Sequence, residues 1–263
     1  MLACYLDESG IHGGKNAGKV CVIAGYFGEV RAWRRFEKDW RKALCDHLVR
    51  LEQFHAKDII KRRGYFSKFS HESQHALIRS LLGAITGSDI FPVMSSVITA
   101  DFDGFSYDEK RFLTGALVEN GRFKSSGCPG KPYFVPFHEC IARVASYTPI
   151  GKKMHLFFGL DRTFCEYATY AFRQLKLKTP VSYIERLGDA AYPLAKKTPQ
   201  LQAADFLAYA THEYVEEKLR ESGATAPYYL RAAVSKRKSK RDFRIIGAKT
   251  MRLLLNGLKL YEN

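Results

Sequence analysis

The chain is short of acid. Its 263 residues hold 27 Asp and Glu against 42 Lys and Arg, a formal charge of +15, so its surface is expected to attract polyanions. Long apolar runs are missing too. None reaches the roughly 18 residues of a membrane-spanning helix, so no membrane partner is expected. The first residues form no basic region followed by a cleavable apolar core; secretion is not expected, and the chain reads as cytoplasmic. The six cysteines, at 4, 21, 45, 128, 140 and 165, form no CxxC pair and no metal-ligand spacing, which argues against zinc sites and a disulfide framework. They read as reduced core thiols. Repeats, low-complexity linkers and a clear domain boundary are also absent.

The remaining composition, 46% hydrophobic and 26% charged, is that of a soluble globular protein long enough to bury a large core. Residues 2–6 and 19–27 are apolar and rich in β-formers, with a Gly- and Asn-rich connection between them, which predicts a hairpin whose second strand is buried on both faces. Trp33, Phe36, Trp40, Leu44, Leu48 and Leu51 recur at helical spacing with a basic outer face. Ser70 is placed to cap a helix running to about residue 86. A strand follows at 90–102, then helices at 106–120 and 136–147. A strand over 152–163, a helix over 164–176, the strand "VSYIER" (181–186) and a long helix from Thr198 to about Glu221 complete the order. Hairpin strands followed by alternating strands and helices predict an α/β protein with a mixed sheet flanked by helices.

Three carboxylates stand where the local pattern predicts apolar residues. Asp7 follows "LACYL", Asp161 follows "HLFFGL", and Asp205 interrupts an apolar helix face marked by Leu201, Ala204, Ala208 and Val215. Each alone has a plain structural reading, as a turn cap or a buried partner for an arginine. Together they are expected to converge at one edge of the sheet. Clustered carboxylates repel unless a cation neutralises them, and hard oxygen ligands select magnesium or manganese. Two such ions activate water and stabilise the leaving oxygen at a phosphodiester. Glu8 points opposite to Asp7 in an extended chain, and serves the same site only if the strand turns there. His55 and Asp58 lie one turn apart if helical, suited to proton transfer or metal binding; a surface His with a helix-end acid fits as well. The remaining histidines lack ligand spacing. Near the C-terminus, "SKRKSKRDFR" (235–244) holds six basic residues and one acid. Lys236, Arg237, Lys238, Lys240 and Arg241 are candidates for phosphate contact, against the alternative of a solvated loop.

The ordered set "YLDESG", "FHAKDI", a strand ending in Asp161, and "QLQAADFLAY" resembles the domain of unknown function 3800 family, over roughly residues 2 to 220. The resemblance implies a ribonuclease-H-like fold, expected over residues 1–222; the basic extension, 223–263, lies outside the resemblance and is expected to pack on the same domain. It implies a nuclease-type site with Asp7, Asp161 and Asp205 as metal ligands, and Glu8, His55, Asp58 and Gln202 at further matching positions. The intervening "ERLGDAAYPLAKKTPQ" departs from the family's pattern, which leaves Glu185 and Asp189 as open candidates. The expected activity is divalent-metal-dependent hydrolysis of DNA or RNA. The rivals are a catalytically inactive nucleic-acid-binding protein and a toxin- or defence-type interaction protein of the same fold.

Overall fold

The computed structural model of the chain describes residues 1–10, 19–116, 118–119, 122–124, 127–159, 165–178, 184–236 and 243–259. Strands β1 (Leu2–Ser9) and β2 (Val20–Glu29) pair antiparallel, with Leu2 opposite Glu29 and Ser9 opposite Val22. β3 (Ile90–Ile98) continues the antiparallel run on β2. A separate ribbon joins β4 (Val118–Glu119) to β5 (Arg122–Phe123). β6 (Met154–Phe158) lies parallel beside β1, and β7 (Leu187–Ala191) parallel beside β6. β8 (Phe243–Ile246), from the basic C-terminal region, adds parallel to β3. The described sheet is therefore six-stranded and mixed, in the order β7-β6-β1-β2-β3-β8.

β2 is buried along nearly its whole length, because helices cover both faces of the sheet. On one face lie α1 (Val30–Asp46), α2 (Ala56–Lys61), α3 (His71–Gly87), α8 (Pro199–Arg220) and α9 (Tyr228–Ala233), around a core that includes Ala3, Trp33, Phe36, Trp40 and Phe206. On the other lie α6 (Phe134–Tyr147) and α7 (Cys165–Lys178), around Cys4, Leu6, Phe137 and Phe158. Two short helices, α4 (Thr99–Asp103) and α5 (Tyr107–Leu113), and the C-terminal α10 (Ala248–Lys259) close this second side. The apolar stripe of α1 packs as a ladder of rings, Trp33 to Phe36 at 5.4 Å and Phe36 to Trp40 at 5.2 Å between centroids. Burying each such side chain contributes about 2–3 kcal/mol before entropy is counted. No described helix is long and apolar enough to cross a membrane. The described cysteines are all free, but only Cys4, Cys21 and Cys140 are buried; Cys45 is exposed.

Some boundaries move for local reasons. α1 stops at Asp46 because Leu48 adopts a left-handed conformation (φ 57°), so Leu51 belongs to a separate 3-10 turn. The helix expected over 106–120 ends at Leu113, where Gly115 turns left-handed (φ 92°), the usual device for stopping a helix. β3 ends at Ile98 rather than 102, since the chain turns there into α4. The strand expected at 181–186 begins later, as β7 at Leu187; residues 184–186 form a 3-10 turn and 181–183 lie outside the described residues. Gly188 permits this pairing, because a β-carbon there would lie 2.8 Å from Nδ1 of His155 on β6.

Candidate active site

β1 and β6 run parallel, so their C-terminal ends emerge at the same edge of the sheet. Asp7 stands at that edge on β1. Its neighbour across the ladder is Gly159, whose amide donates to the Leu6 carbonyl at 3.1 Å. A β-carbon on Gly159 would lie 2.3 Å from Asp7 Oδ1, so only glycine leaves room for this carboxylate. Asp161 is two residues further along the same chain and lies outside the described residues.

Strand alternation decides where each acid faces. Ala3 and Tyr5 pack on the α1–α8 side, and Leu2, Cys4 and Leu6 on the α6 side. Asp7 therefore follows Tyr5 toward α8, and Glu8 follows Leu6 toward α6. The electrostatics agree. Burial and then the Glu8 carboxylate push the Tyr133 hydroxyl at the start of α6 well up. Asp7 is held well above the usual carboxylate range, first by lost hydration and then by the negative charges of Glu8 and Asp205. Glu8 also makes a side-chain hydrogen bond with Asp7 although the two side chains start on opposite faces of β1.

Asp205 arrives from α8, which packs across β1 and β2. Pro199 occupies the first turn of this helix, where its missing N–H loses no bond. Leu201, Ala204, Ala208 and Val215 are fully or almost fully buried, while Asp205 between them keeps partial access. Its carboxyl is also raised, chiefly by burial, against the lowering effect of an N–H bond from Ala56 to Oδ2 at 2.9 Å. That amide opens α2, and the residue before it is His55. His55 lowers the Asp205 carboxyl and Asp58 raises it, so both stand within electrostatic reach. His55 Nδ1 lies 3.1 Å from Asp58 Oδ2, and both remain substantially exposed. Asp7, Glu8, Asp205, His55 and Asp58 thus occupy one neighbourhood. No group of three or more His, Cys, Asp and Glu close enough to hold a metal ion occurs among the described residues, which do not include Asp161.

Gln202 is structural in its contacts. Its Oε1 accepts from Trp40 Nε1 at 3.0 Å and its Nε2 donates to Leu51 O at 2.8 Å, tying α8 to α1 and the following turn. Glu185 and Asp189 lie at the β7 side of the sheet. Both are exposed, and Asp189 stands 3.9 Å from His155 Nδ1. Lys236 is at the opposite edge of the sheet from Asp7, donating to Ser88 O at 2.8 Å with Asp89 3.7 Å away. Arg237, Lys238, Lys240 and Arg241 lie outside the described residues.

His212 is the residue that spacing rules passed over. It follows Asp205 by seven positions, two helical turns along the same face of α8. Both ring nitrogens are buried without a hydrogen-bond partner among the described residues, and Glu216 Oε1 is 3.7 Å from Nε2. Burial lowers its pKa, so the ring is neutral at pH 7. Gly10, left-handed at φ 81°, lies over it; a β-carbon there would meet Cδ2 at 2.7 Å. The readable signal was Asp205 and His212 on one otherwise apolar face of the helix.

The chain matches no protein-family model, and a search of curated proteins finds no match either.

Proposed function

We propose that the chain is a divalent-metal-dependent nuclease of ribonuclease-H-like fold that hydrolyses phosphodiester bonds in nucleic acid. The observation that carries this reading is the pair Asp7 and Asp205. Both are partly buried, one near a strand end and one on a facing helix; burial raises each, and the negative charge of Asp205 raises Asp7 further, an arrangement that costs stability unless a cation or a proton is shared between them. The donor set is all oxygen, which fits magnesium or manganese. Asp7 and Asp205 would hold the ion, with Asp161 as the third ligand that the sequence pattern supplies and Glu8 or Asp58 beside them. When bound, such an ion neutralises the carboxylates and lowers the pKa of a coordinated water. The chain's own residues do the rest. The Ala56 amide orients Asp205 by fixing Oδ2. His55, exposed and oriented by Asp58, is the candidate to hold or pass a proton. A mixed sheet in which β1 is central, with β2 antiparallel to it on one side and β6 and β7 parallel to it on the other, supports the fold reading, as does the resemblance to the domain of unknown function 3800 family.

The bond from Ala56 to Asp205 favours a second reading, in which Asp205 is a structural acceptor and the chain binds nucleic acid without turnover. One experiment separates the two. Labelled single- and double-stranded DNA and RNA are incubated with the chain and magnesium, manganese or chelator. Metal-dependent cleavage by the wild type, lost in Asp7→Asn and in Asp205→Asn, is the expected result. Binding without cleavage under every metal sinks the nuclease reading.

A further inference from the structure

We propose that the nucleic acid served by this site is single-stranded and approaches it over residues 57–68, with the exposed ring of Tyr228 as a stacking platform. This rests on the reading of Asp7 and Asp205 as the reacting centre.

The geometry begins at the Ala56 amide on Asp205. α2 is six residues long, so the surface it carries starts at the carboxylate and ends about 9 Å away. The segment is held firmly. Gln74 Nε2 donates to the carbonyls of Ile59 and Ile60 at 2.8 and 2.9 Å, and Arg62, left-handed at φ 48°, closes the turn by donating to Phe69 O at 3.3 Å. A platform of this kind keeps its charges in place before a ligand arrives.

Lys57, Lys61, Arg63 and Lys68 project from it into solvent, against one acid, Asp58. Glu213 on α8 pairs with Lys61. Lys57 and Arg63 make no ion pair among the described residues, so they remain available to phosphate oxygens. Rings are interleaved with these cations. Lys68 Nζ lies 4.1 Å above the Tyr65 ring. Gln74, which holds this segment, is followed on α3 by His75, and His75 reaches Tyr228 of α9. Tyr228 is 37% exposed and stacks on His75 at 5.6 Å with 17° between planes. The His75–Tyr228 hydrogen bond, 3.0 Å, fixes that pair.

Cations that track a backbone, together with ring faces that receive bases, are what a single strand needs. A duplex hides its base faces and has use only for the cations. A merely solvated basic surface would bind both forms through charge alone, so the two explanations differ in a measurable ratio.

The test reads binding rather than turnover. The full chain carrying Asp7→Asn, in chelator, is titrated by fluorescence anisotropy with a labelled dodecamer as single-stranded DNA, single-stranded RNA and duplex DNA. Single strands are expected to bind roughly tenfold more tightly than duplex, the ratio that one stacked base supplies. Adding Tyr228→Ala should erase that preference and leave duplex affinity unchanged. Adding Lys57→Gln with Arg63→Gln should lower affinity for all forms, and reduce the salt slope on single strands by about 0.7 for each phosphate no longer neutralised. Equal affinity for both forms, or an unchanged slope in the double substitution, overturns the proposal. The two single-stranded arms separate RNA from DNA. A missing strand preference alongside metal-dependent cleavage by the wild type refutes this path alone, whereas strand-selective binding without cleavage refutes the nuclease reading alone.

Discussion

Gly159, the residue just past the end of β6, stands so close to Asp7 on the parallel strand β1 that a β-carbon on the glycine would fall 2.3 Å from the carboxylate oxygen. The glycine is therefore part of how Asp7 is aimed. Gly159→Ala should displace the carboxylate, abolish metal-dependent activity and destabilise the fold by about 1–3 kcal/mol, the usual effect of overpacking. Gly83, inside α3 with open space around it, is the control. Gly83→Ala should stabilise by about 0.5–1 kcal/mol and leave activity alone. Denaturant melts and a cleavage assay on both variants check this.

The carboxylates also set a pH dependence. Asp7 and Asp205 are both raised by burial above their unfolded values. Between the unfolded and the folded pKa the native state binds more protons, so stability falls as pH rises through that window. The favourable contribution is complete below the unfolded pKa and lost above the folded one. In the absence of metal, Asp7→Asn should raise Tm at pH 8, by on the order of 3 °C for about 1 kcal/mol in a chain of this size. The gain should shrink toward pH 4. Magnesium or manganese should raise the Tm of the wild type and not of the variant, since an ion that binds only the folded state stabilises it. A Tm difference that is constant with pH would rule out ionisation as the cause.

Much of the sheet was readable because β1, β2 and β6 are short apolar runs with punctuation at both ends. α8 was readable because Pro199 marks its start and its buried face repeats. Where the reading slipped, backbone conformation outweighed side-chain pattern. Leu48 and Gly115 stop their helices by turning left-handed, although the apolar spacing runs on past each. Thr198 heads α8, but its hydroxyl donates backward to Leu194 O at 2.9 Å and caps nothing, since the preceding 3-10 turn offers that carbonyl first. Asp7 and Asp205 were legible as carboxylates in apolar settings. Their meeting depends on α8 crossing β1, a tertiary fact no local pattern holds. The role of the Ala56 amide was invisible for the same reason, because backbone donors carry no sequence signature.

Gln202 offers a test of structure apart from chemistry. It satisfies the buried Trp40 N–H and the Leu51 carbonyl together. Gln202→Leu would fit the apolar surroundings but strand both groups. The expected loss is about 1–3 kcal/mol for a buried donor left unpaired, seen as a lower denaturation midpoint. Metal affinity measured by calorimetry should be unchanged, because the side-chain bonds of Gln202 run to Trp40, Leu51 and Lys196 and not to Asp205. A large fall in metal affinity at wild-type stability would instead make Gln202 part of the site.

Lys236 separates from the rest of its basic run. Its ammonium donates to Ser88 O and lies near Asp89, at the edge of the sheet where β1 begins rather than where Asp7 stands. A side chain committed to a carbonyl on the helix-to-strand turn before β3 has less to offer a phosphate. Lys236→Gln alone should therefore lower stability slightly, by about 0.5–1.5 kcal/mol for one hydrogen bond, and leave the salt slope of nucleic-acid binding unchanged. Replacing Arg237, Lys238, Lys240 and Arg241 by Gln instead should leave stability near wild type. If those four neutralise duplex phosphates, the slope of log affinity against log salt falls by roughly 0.9 for each phosphate released. Titrations of both variants at several salt concentrations decide the matter. A reduced slope in Lys236→Gln would return that residue to the binding surface, and an unchanged slope in the fourfold variant would leave the run a solvated charge.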